Sequence, residues 1–273
     1  MVEIESRARA PRTRWGSAPA VSAAVWPVIG LVALVAAWWL ATSATSLVHP
    51  AVLPPPGEVL AAFLHRPEEL LTGTWITTRE TVLGFLLATA GGVLLGIALA
   101  TSRTTDRMFS PLLVALNAVP KITFAPLLVI ALDYGQKPIL TMVVLLSFFP
   151  VVLATTTGLT STPNDLVELT RSLDASRWQT FVKVRFPIAL PQMFVGLKVA
   201  MPLAAIGAVI GEFYAGDEGG LGYAILQYSG VADGATAWAA ILLVGILSII
   251  LYYALVLVER LMLPWVRETT SAR

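Results

Sequence analysis

Two ionisable side chains, Lys121 and Glu212, lie in or at the edge of apolar segments long enough to cross a membrane. Such groups are costly in lipid and usually face a bundle interior or a water-filled cavity. Lys121 could therefore attract an anionic substrate, and Glu212 could gate or line a path. Alternatively, the span begins later and Lys121 reaches the headgroups. The alternative for Glu212 is an acid at headgroup level, because it closes its apolar segment.

A polar stretch at residues 164–191, which we call the docking loop, separates two of these apolar segments. A proline precedes Asn164, and Leu166, Leu169 and Leu173 then recur at helical spacing, which predicts a short amphipathic helix. An apolar stripe of this kind suits insertion into a partner's groove. The alternative is a helix that lies on the bilayer surface.

A second short helix is predicted to begin at Ser176. The Ser176 hydroxyl can cap it, and Gln179 can reach back as in a capping box. This helix is expected to end before Pro187, which lacks the donor needed to continue it. Trp178 and Phe181 are expected to pack the docking loop against its own bundle.

Residue types that support catalysis are scarce. The chain has no cysteine and only two histidines, His49 and His65, and neither lies beside a plausible acid or nucleophile within an apolar segment. General acid–base machinery is not evident, and thiolate metal sites are excluded. The chain also lacks the Gly-x-x-x-x-Gly-Lys-Ser/Thr loop that cradles the phosphates of ATP. We therefore expect no enzymatic activity, no bound cofactor and no metal.

The elements that must position these residues are membrane helices. Of the 273 residues, 56% are hydrophobic and 13% are charged, whereas soluble domains carry about 25% charged residues. A spanning helix needs roughly 20 apolar residues. Six segments qualify, at residues 25–45, 78–101, 109–132, 138–160, 192–213 and 237–258. An all-α, polytopic membrane helix bundle is predicted, with a kink in the third segment at Pro120 and Pro126.

Most of the 18 Lys and Arg residues fall in four regions on one side of such a bundle: the N-terminal tail, a turn at 102–108, the docking loop and the C-terminal tail. The positive-inside rule makes that side cytoplasmic, with both termini inside. We expect a disordered tail at 1–24, a transmembrane domain at 25–266 with its cytoplasmic loop at about 160–191, and a second tail at 267–273. A cleaved signal peptide is the alternative for the N-terminal segment.

Two short segments are expected on the outer surface. Residues 58–64 follow a proline run and suit an interfacial helix, and the glycine-rich residues 216–223 suit a loop. Within the bundle, small residues recur at every fourth position, which allows close approach of helix backbones in lipid. They are Ala88, Gly92, Gly96 and Ala100 in the second segment and Gly196, Ala200, Ala204 and Ala208 in the fifth. Packing within one bundle and a subunit interface or pathway wall both fit these stripes.

The docking loop resembles the EAA loop of ATP-binding-cassette (ABC) importer permeases. That family pattern is Glu-Ala-Ala, three residues, Gly, nine residues, Ile, one residue and Leu-Pro. Glu168 matches the acid, Ile188 and Leu190-Pro191 match the end, and the spacing fits throughout. Further fragments, in the same order as in the nitrate, sulfonate and taurine branch, extend the resemblance from about residue 26 to 266.

The loop departs from the family pattern at two places. Leu169-Thr170 replaces Ala-Ala, and Asp174 replaces the turn glycine. Asp is among the few residues that tolerate a left-handed turn, so the hairpin can persist. Docking strength could still differ from that of the family.

The resemblance implies a permease subunit with a five-helix importer core, one extra N-terminal helix and cytoplasmic coupling helices. It implies a multi-pass protein of the bacterial inner or plasma membrane, surrounded by lipid, that forms the translocation path for a small organic anion such as a sulfonate, taurine or a nitrate-like ion. The implied partners are a second permease copy, in a homodimer, a cytoplasmic ABC ATPase dimer and an extracytoplasmic substrate-binding protein. ATP and Mg would be bound by the ATPase, and no nucleic acid is expected.

For docking, we expect a mixed set of residues. The groove contacts are Leu169, Ser172, Leu173 and Ala175, the rim contacts are Glu168 and Arg171, and Asp174 forms the turn.

The alternative function, from another class, is a secondary transporter driven by an ion gradient. Such carriers often place paired acids or broken helices at the bilayer midplane within internal repeats. Acids are nearly absent from the predicted spans and no inverted repeat is visible, which disfavours this alternative.

Overall fold

The computed structural model describes residues 20–44, 52–216 and 219–265, and within these ranges the regular elements are helical. The α-helices are α1 (Ala20–Trp39), α2 (Pro56–His65), α3 (Pro67–Thr101), α4 (Arg103–Ala118), α5 (Ala125–Leu132), α6 (Gln136–Thr160), α7 (Asn164–Ser172), α8 (Arg177–Thr180), α9 (Phe186–Ala215), α10 (Leu221–Gly230) and α11 (Gly234–Met262). Five helices are long and apolar enough to cross a membrane, or six if the bent pair α4–α5 is one span. The predicted all-α membrane bundle is confirmed.

Helix α6 lies at the centre of the bundle, between α3 and α9. Glycines on both neighbours allow this packing. A Cβ on Gly196 of α9 would lie 2.8 Å from the Pro150 carbonyl oxygen of α6, and one on Gly92 of α3 would lie 2.9 Å from the Val151 side chain. Both predicted small-residue stripes therefore include positions packed against α6 of the same chain, which is the first of the two alternatives left open by the sequence.

The third apolar segment differs from the predicted span at 109–132. Helix α4 begins at Arg103, directly after Ser102, whose hydroxyl accepts a hydrogen bond from the Thr105 N–H at 3.2 Å. The predicted turn at 102–108 is therefore helical from Arg103 onward. The expected kink is a full break, with a 3-10 turn at Lys121–Phe124 and a bend of 86° between the two halves. Pro120, which cannot donate to the helix, lies at this break.

The segment after the docking loop also differs from the prediction. We expected the helix that follows Ser176 to end before Pro187, but α8 continues through a π turn at Phe181–Arg185 directly into α9. Pro187 occupies the first turn of α9, where a missing N–H costs little. The extra residue of the π turn changes the hydrogen-bond register before the proline, so no break is needed.

The described residues differ from the predicted domain limits at the N-terminus, because α1 already begins at Ala20 and is followed by a π turn at Leu40–Ala44. Most of the predicted N-terminal tail and nearly all of the C-terminal one lie outside the described residues. At one end of the bundle, which we call the loop end, α7 and α8 connect α6 to α9. At the opposite end lie α2, confirming the predicted short helix at 58–64, and α10.

Candidate docking loop and membrane path

The docking loop is a helical hairpin whose turn is built as its sequence predicts. Helix α7 begins at Asn164 and ends at Ser172, and Asp174 adopts φ 54° in the left-handed region. The Ser176 hydroxyl accepts from the Gln179 N–H at 3.2 Å, and the Gln179 side chain accepts from the Ser176 N–H at 2.8 Å. The predicted capping box and the tolerated left-handed Asp are therefore both present.

One face of α7 packs against the rest of the protein, and the other face is exposed. Val167 is buried, and the Thr180 hydroxyl donates to the Thr170 hydroxyl at 3.1 Å, which ties α8 to α7. Leu169 and Leu173 are 55% and 72% exposed. Two leucines held in this way on and directly after a short helix at the end of a bundle form an apolar protrusion that a partner's groove can cover.

The other predicted docking residues lie around this protrusion. Glu168, Arg171, Ser172 and Asp174 are exposed, and Ala175 is half-buried. The Ser172 hydroxyl donates to the Leu169 carbonyl at 2.9 Å, so one of its hydrogen-bonding options is already used within α7. Their contacts with a partner stay predictions.

The aromatic pair of the loop behaves only partly as expected. Phe181 packs with Phe186 and with the cluster of Leu159, Ala189 and Met193, so it holds the loop to the bundle. Trp178 stacks on Phe181 with ring centroids 5.9 Å apart, but the indole is 71% exposed. The expectation that Trp178 packs against the bundle is therefore wrong, because Phe181 occupies that position.

Lys121 lies on the 3-10 turn between α4 and α5. Its ammonium donates to the Asn117 side-chain oxygen at 2.7 Å. Both side chains line a cavity of about 320 Å³ between the broken segment and α6, whose other walls include Phe124, Thr141 and Phe148. The side chain is thus at a cavity wall, and its action on a substrate stays a prediction.

Glu212 lies in a buried polar cluster instead of at the bundle surface. Its side chain is 2% exposed and accepts hydrogen bonds from the Thr77 hydroxyl at 2.7 Å and from the Gly222 N–H. The Thr77 hydroxyl in turn accepts from the Leu221 N–H at 2.9 Å. These contacts fasten the first turn of α10 to α3 and α9, so the predicted loop at 216–223 becomes helical from Leu221 onward.

The same cluster contains a second acid that the sequence analysis missed. Glu80 on α3 is buried beside the Glu212 side chain. A signal existed, since Glu80 is an ionisable residue inside the second predicted span. Whether either acid belongs to a pathway stays a prediction, and Glu212 lines none of the three described cavities.

An ion pair between spans was also missed. The Lys198 ammonium on α9 lies 2.9 Å from both carboxylate oxygens of Glu259 on α11. The two residues are far apart in the sequence, so periodicity could not pair them. The contact ties α11 to α9 near the loop end and leaves neither charge alone in the membrane.

A polar network closes the opposite end. The Tyr228 hydroxyl on α10 donates to the Glu69 carboxylate at 2.6 Å, and the Arg66 guanidinium lies 4.7 Å from the centre of the Tyr228 ring. Burial, followed by the hydrogen bond to Glu69, raises the pKa of Tyr228. The phenol therefore stays protonated and remains a donor at neutral pH. Arg66 also lies 3.8 Å from Asp233, whose carboxylate caps α11.

Within the described ranges, no group of three or more His, Asp or Glu side chains is arranged to hold a metal ion. Instead, Lys198 pairs with Glu259, Arg66 pairs with Asp233, and Glu212 fastens neighbouring helices. What this geometry offers is a tight helix bundle, a hairpin that protrudes at one end and a broken membrane segment that borders a cavity.

Comparison with known proteins gives a consistent result. Residues 92–267 match the family model described as "Binding-protein-dependent transport system inner membrane component". The chain is 32% identical over 243 residues to the formylaminopyrimidine transport permease protein ThiX of Halalkalibacterium halodurans, covering 89% of this chain and 96% of ThiX. It is 28% identical to the putative aliphatic sulfonates transport permease protein SsuC of Bacillus subtilis, covering 90% of this chain and 85% of SsuC.

A solved structure shows the same fold. A chain of the MetNI methionine ABC transporter, in an inward facing conformation, superimposes with a TM-score of 0.62 at 19% identity. The match covers 71% of this chain and 96% of that chain.

Proposed function

Because the chain belongs to the family of binding-protein-dependent transport system inner membrane components, we propose that it forms the translocation path of an ABC importer and is driven by separate ATPase subunits through the docking loop. The resemblance seen in the sequence to ABC importer permeases is confirmed by the family match. Beyond family membership, the proposal names the partner that drives transport, the residues that contact this partner and the class of substrate.

The observation that carries the coupling proposal is the form of the docking loop. It places one exposed leucine, Leu169, on a helix anchored by Val167 at the end of the bundle, and a second, Leu173, directly after that helix. The loop joins α6 to α9, the two helices that pack along each other most extensively. A partner that binds the leucines can therefore transmit its own movement to α6 and α9 at the centre of the bundle. Ser172 and Ala175 would join the leucines in the partner's groove, Glu168 and Arg171 would contact its rim, and Asp174 would form the turn.

ATP and Mg would bind to the partner subunits, which would form a dimer on the cytoplasmic side and face two copies of this chain. The basic residues of the loop end favour this end as the cytoplasmic one, with both termini inside. A substrate-binding protein would deliver its cargo at the opposite end. The alternation between inward-open and outward-open states would follow the closing of the ATPase dimer.

For the substrate, we propose a small organic anion. Lys121 supports this choice, because its ammonium lines a cavity beside the broken membrane segment, where a positive charge would favour an anion. The name of the B. subtilis relative also refers to sulfonates, although that of the H. halodurans relative refers to a formylaminopyrimidine. Replacement of Lys121 by Gln should therefore weaken uptake of an anion more than uptake of a neutral compound.

The first experiment is co-purification of the chain with its ATP-binding subunit, with ATPase activity measured for each protein alone and for the complex. Stable association and activity in the complex are expected. Uptake in vesicles that follows an ion gradient without the ATPase would contradict the proposal and favour a secondary transporter.

Two variants locate the docking site. Leu173→Asp places a charge in the groove and is expected to abolish co-purification or ATP-driven uptake while the bundle stays folded. Val231→Asp is the matched control, because Val231 is an equally exposed apolar residue at the opposite end. If both variants or neither weaken association, the docking assignment is refuted.

A further inference from the structure

The largest of the three described cavities lies where the docking loop meets the end of α3, and it has a volume of about 540 Å³. Arg171, Arg177 and Arg185 all line it. Its apolar walls include Trp178, Phe181 from the loop and Ile97 from α3. Three guanidinium groups and an aromatic wall thus share one space.

The positive charge of this cavity is not balanced by the residues that the structure describes. Arg66 pairs with Asp233 and Lys198 pairs with Glu259, and none of these four residues lines the cavity. Arg171, Arg177 and Arg185 form neither an ion pair nor a side-chain hydrogen bond with any described residue. No Asp or Glu lines the cavity. An anion that enters it would therefore meet three free cationic groups.

The cavity is distinct from the apolar protrusion that we assign to the ATPase. Leu169 and Leu173 do not line it, and of the predicted rim and groove contacts only Arg171 and Ala175 do. Thr101, which lines the cavity, is the last residue of the span Pro67–Thr101. The cavity therefore lies at the end of a helix that is long and apolar enough to cross a membrane.

We infer that this cavity binds a phosphate group. The planar guanidinium presents paired N–H donors that match phosphate oxygens, and it is more weakly hydrated than an ammonium group. Basic pockets at the ends of membrane helices suit anionic lipid headgroups, and an exposed indole such as Trp178 is typical of the interfacial layer. The phosphate can come from an anionic phospholipid or from a free phosphate in solution, and these two sources are separable by experiment.

The test uses the full chain purified in detergent. Retention of phosphatidylglycerol is measured by native mass spectrometry against retention of phosphatidylcholine at equal concentration, and inorganic phosphate binding is measured by calorimetry. The double variant Arg177→Gln with Arg185→Gln should weaken binding by about tenfold or more, because two charge-assisted hydrogen-bonding groups are lost. Arg177→Lys keeps the positive charge but loses the paired N–H donors of the guanidinium group, so it should weaken binding less than Arg177→Gln.

Lys183→Gln is the matched control. Lys183 lies on the same π turn and is exposed, but it does not line the cavity. Its replacement should change binding by less than about twofold if the site is the cavity and not the general charge of the loop. Circular dichroism and gel filtration should show that each variant is folded.

The outcomes separate the two sources. Arginine-dependent preference for phosphatidylglycerol assigns the cavity to a lipid headgroup, and arginine-dependent binding of inorganic phosphate without lipid preference assigns it to a soluble phosphate. The inference is overturned if neither probe binds, if the double variant binds as well as the original chain, or if Lys183→Gln weakens binding equally.

Discussion

The buried contact between Thr77 and the first turn of α10 can be tested by replacing Thr77 with Val. The two side chains have nearly the same shape, so the change mainly removes a hydroxyl that is fully buried. That hydroxyl accepts from the Leu221 N–H and donates to Glu212. After the change, the N–H has lost its acceptor in a buried place, and Glu212 has lost one of its donors.

The expected cost follows from these two hydrogen bonds. A buried polar group left without a partner costs about 1–3 kcal/mol, and Glu212 keeps other donors, so the total should be about 2–4 kcal/mol. For a chain of this size this corresponds to a fall in Tm of roughly 5–15 °C. Thr74→Val is the control, because the Thr74 hydroxyl only donates to the Leu70 carbonyl of its own helix at 2.7 Å. It should cost less than about 0.5 kcal/mol.

Thermal unfolding in detergent measures the total effect, and hydrogen exchange measures where it arises. In Thr77→Val, the amides at the start of α10 should exchange faster, since Leu221 loses its acceptor, while those of α6 should not change. The assignment would be refuted by equal falls in Tm for Thr77→Val and Thr74→Val, or by unchanged exchange at the start of α10.

Three further changes test other contacts, each by thermal unfolding in detergent. Lys198→Met should cost about 1–3 kcal/mol because it leaves the Glu259 carboxylate without its partner, and adding Glu259→Gln should recover part of the loss; additive losses would exclude coupling. Asp174→Gly should keep the turn, whereas Asp174→Val should cost about 1–2 kcal/mol because a β-branched residue is strained at positive φ; equal stability of the two would exclude strain. Gly207→Ala should cost about 1–3 kcal/mol because its methyl group would meet the backbone of α6, while Gly245→Ala, with no atom within 4 Å, should cost nothing or stabilise; similar effects would refute the packing argument.

Local signals explain which parts of the fold the sequence predicts. The capping box at Ser176 depends on residues three positions apart, and the left-handed turn depends on the character of Asp174 alone, so both could be predicted. The long spans follow from hydropathy. In each case the determining factor is either an interaction between near neighbours in the chain or the preference of apolar side chains for lipid over water. Both can be read from a single sequence.

Tertiary contacts explain the parts that were missed or misplaced. Helix α10 begins where Leu221 meets Thr77, 144 residues away in sequence, so its glycine-rich start resembles a loop when it is read alone. Pro187 was expected to end a helix, but a π turn places it in a first turn. The 86° bend at the break exceeds the kink that Pro120 and Pro126 predict, and beyond the break α5 packs against α6 and α9, contacts that the sequence does not reveal.

The close packing of α6 with α9 predicts which parts of the bundle move together. A sliding motion would bring side chains past Gly207 and its neighbours, where there is no room for even one methyl group, so we expect α6, α9 and the docking loop to move as one body. At the break between α4 and α5 a short 3-10 turn interrupts the α-helical hydrogen bonds, and a change of angle costs least there. Since the chain has no cysteine, spin labels can be placed on exposed positions, one pair at Leu153 and Val195 and another at Leu153 and Ile130. On addition of ATP to the assembled transporter, the first distance should stay constant and the second should change. A change in the first pair as large as that in the second would show that α6 and α9 separate during the cycle, and the rigid-pair argument would then be wrong.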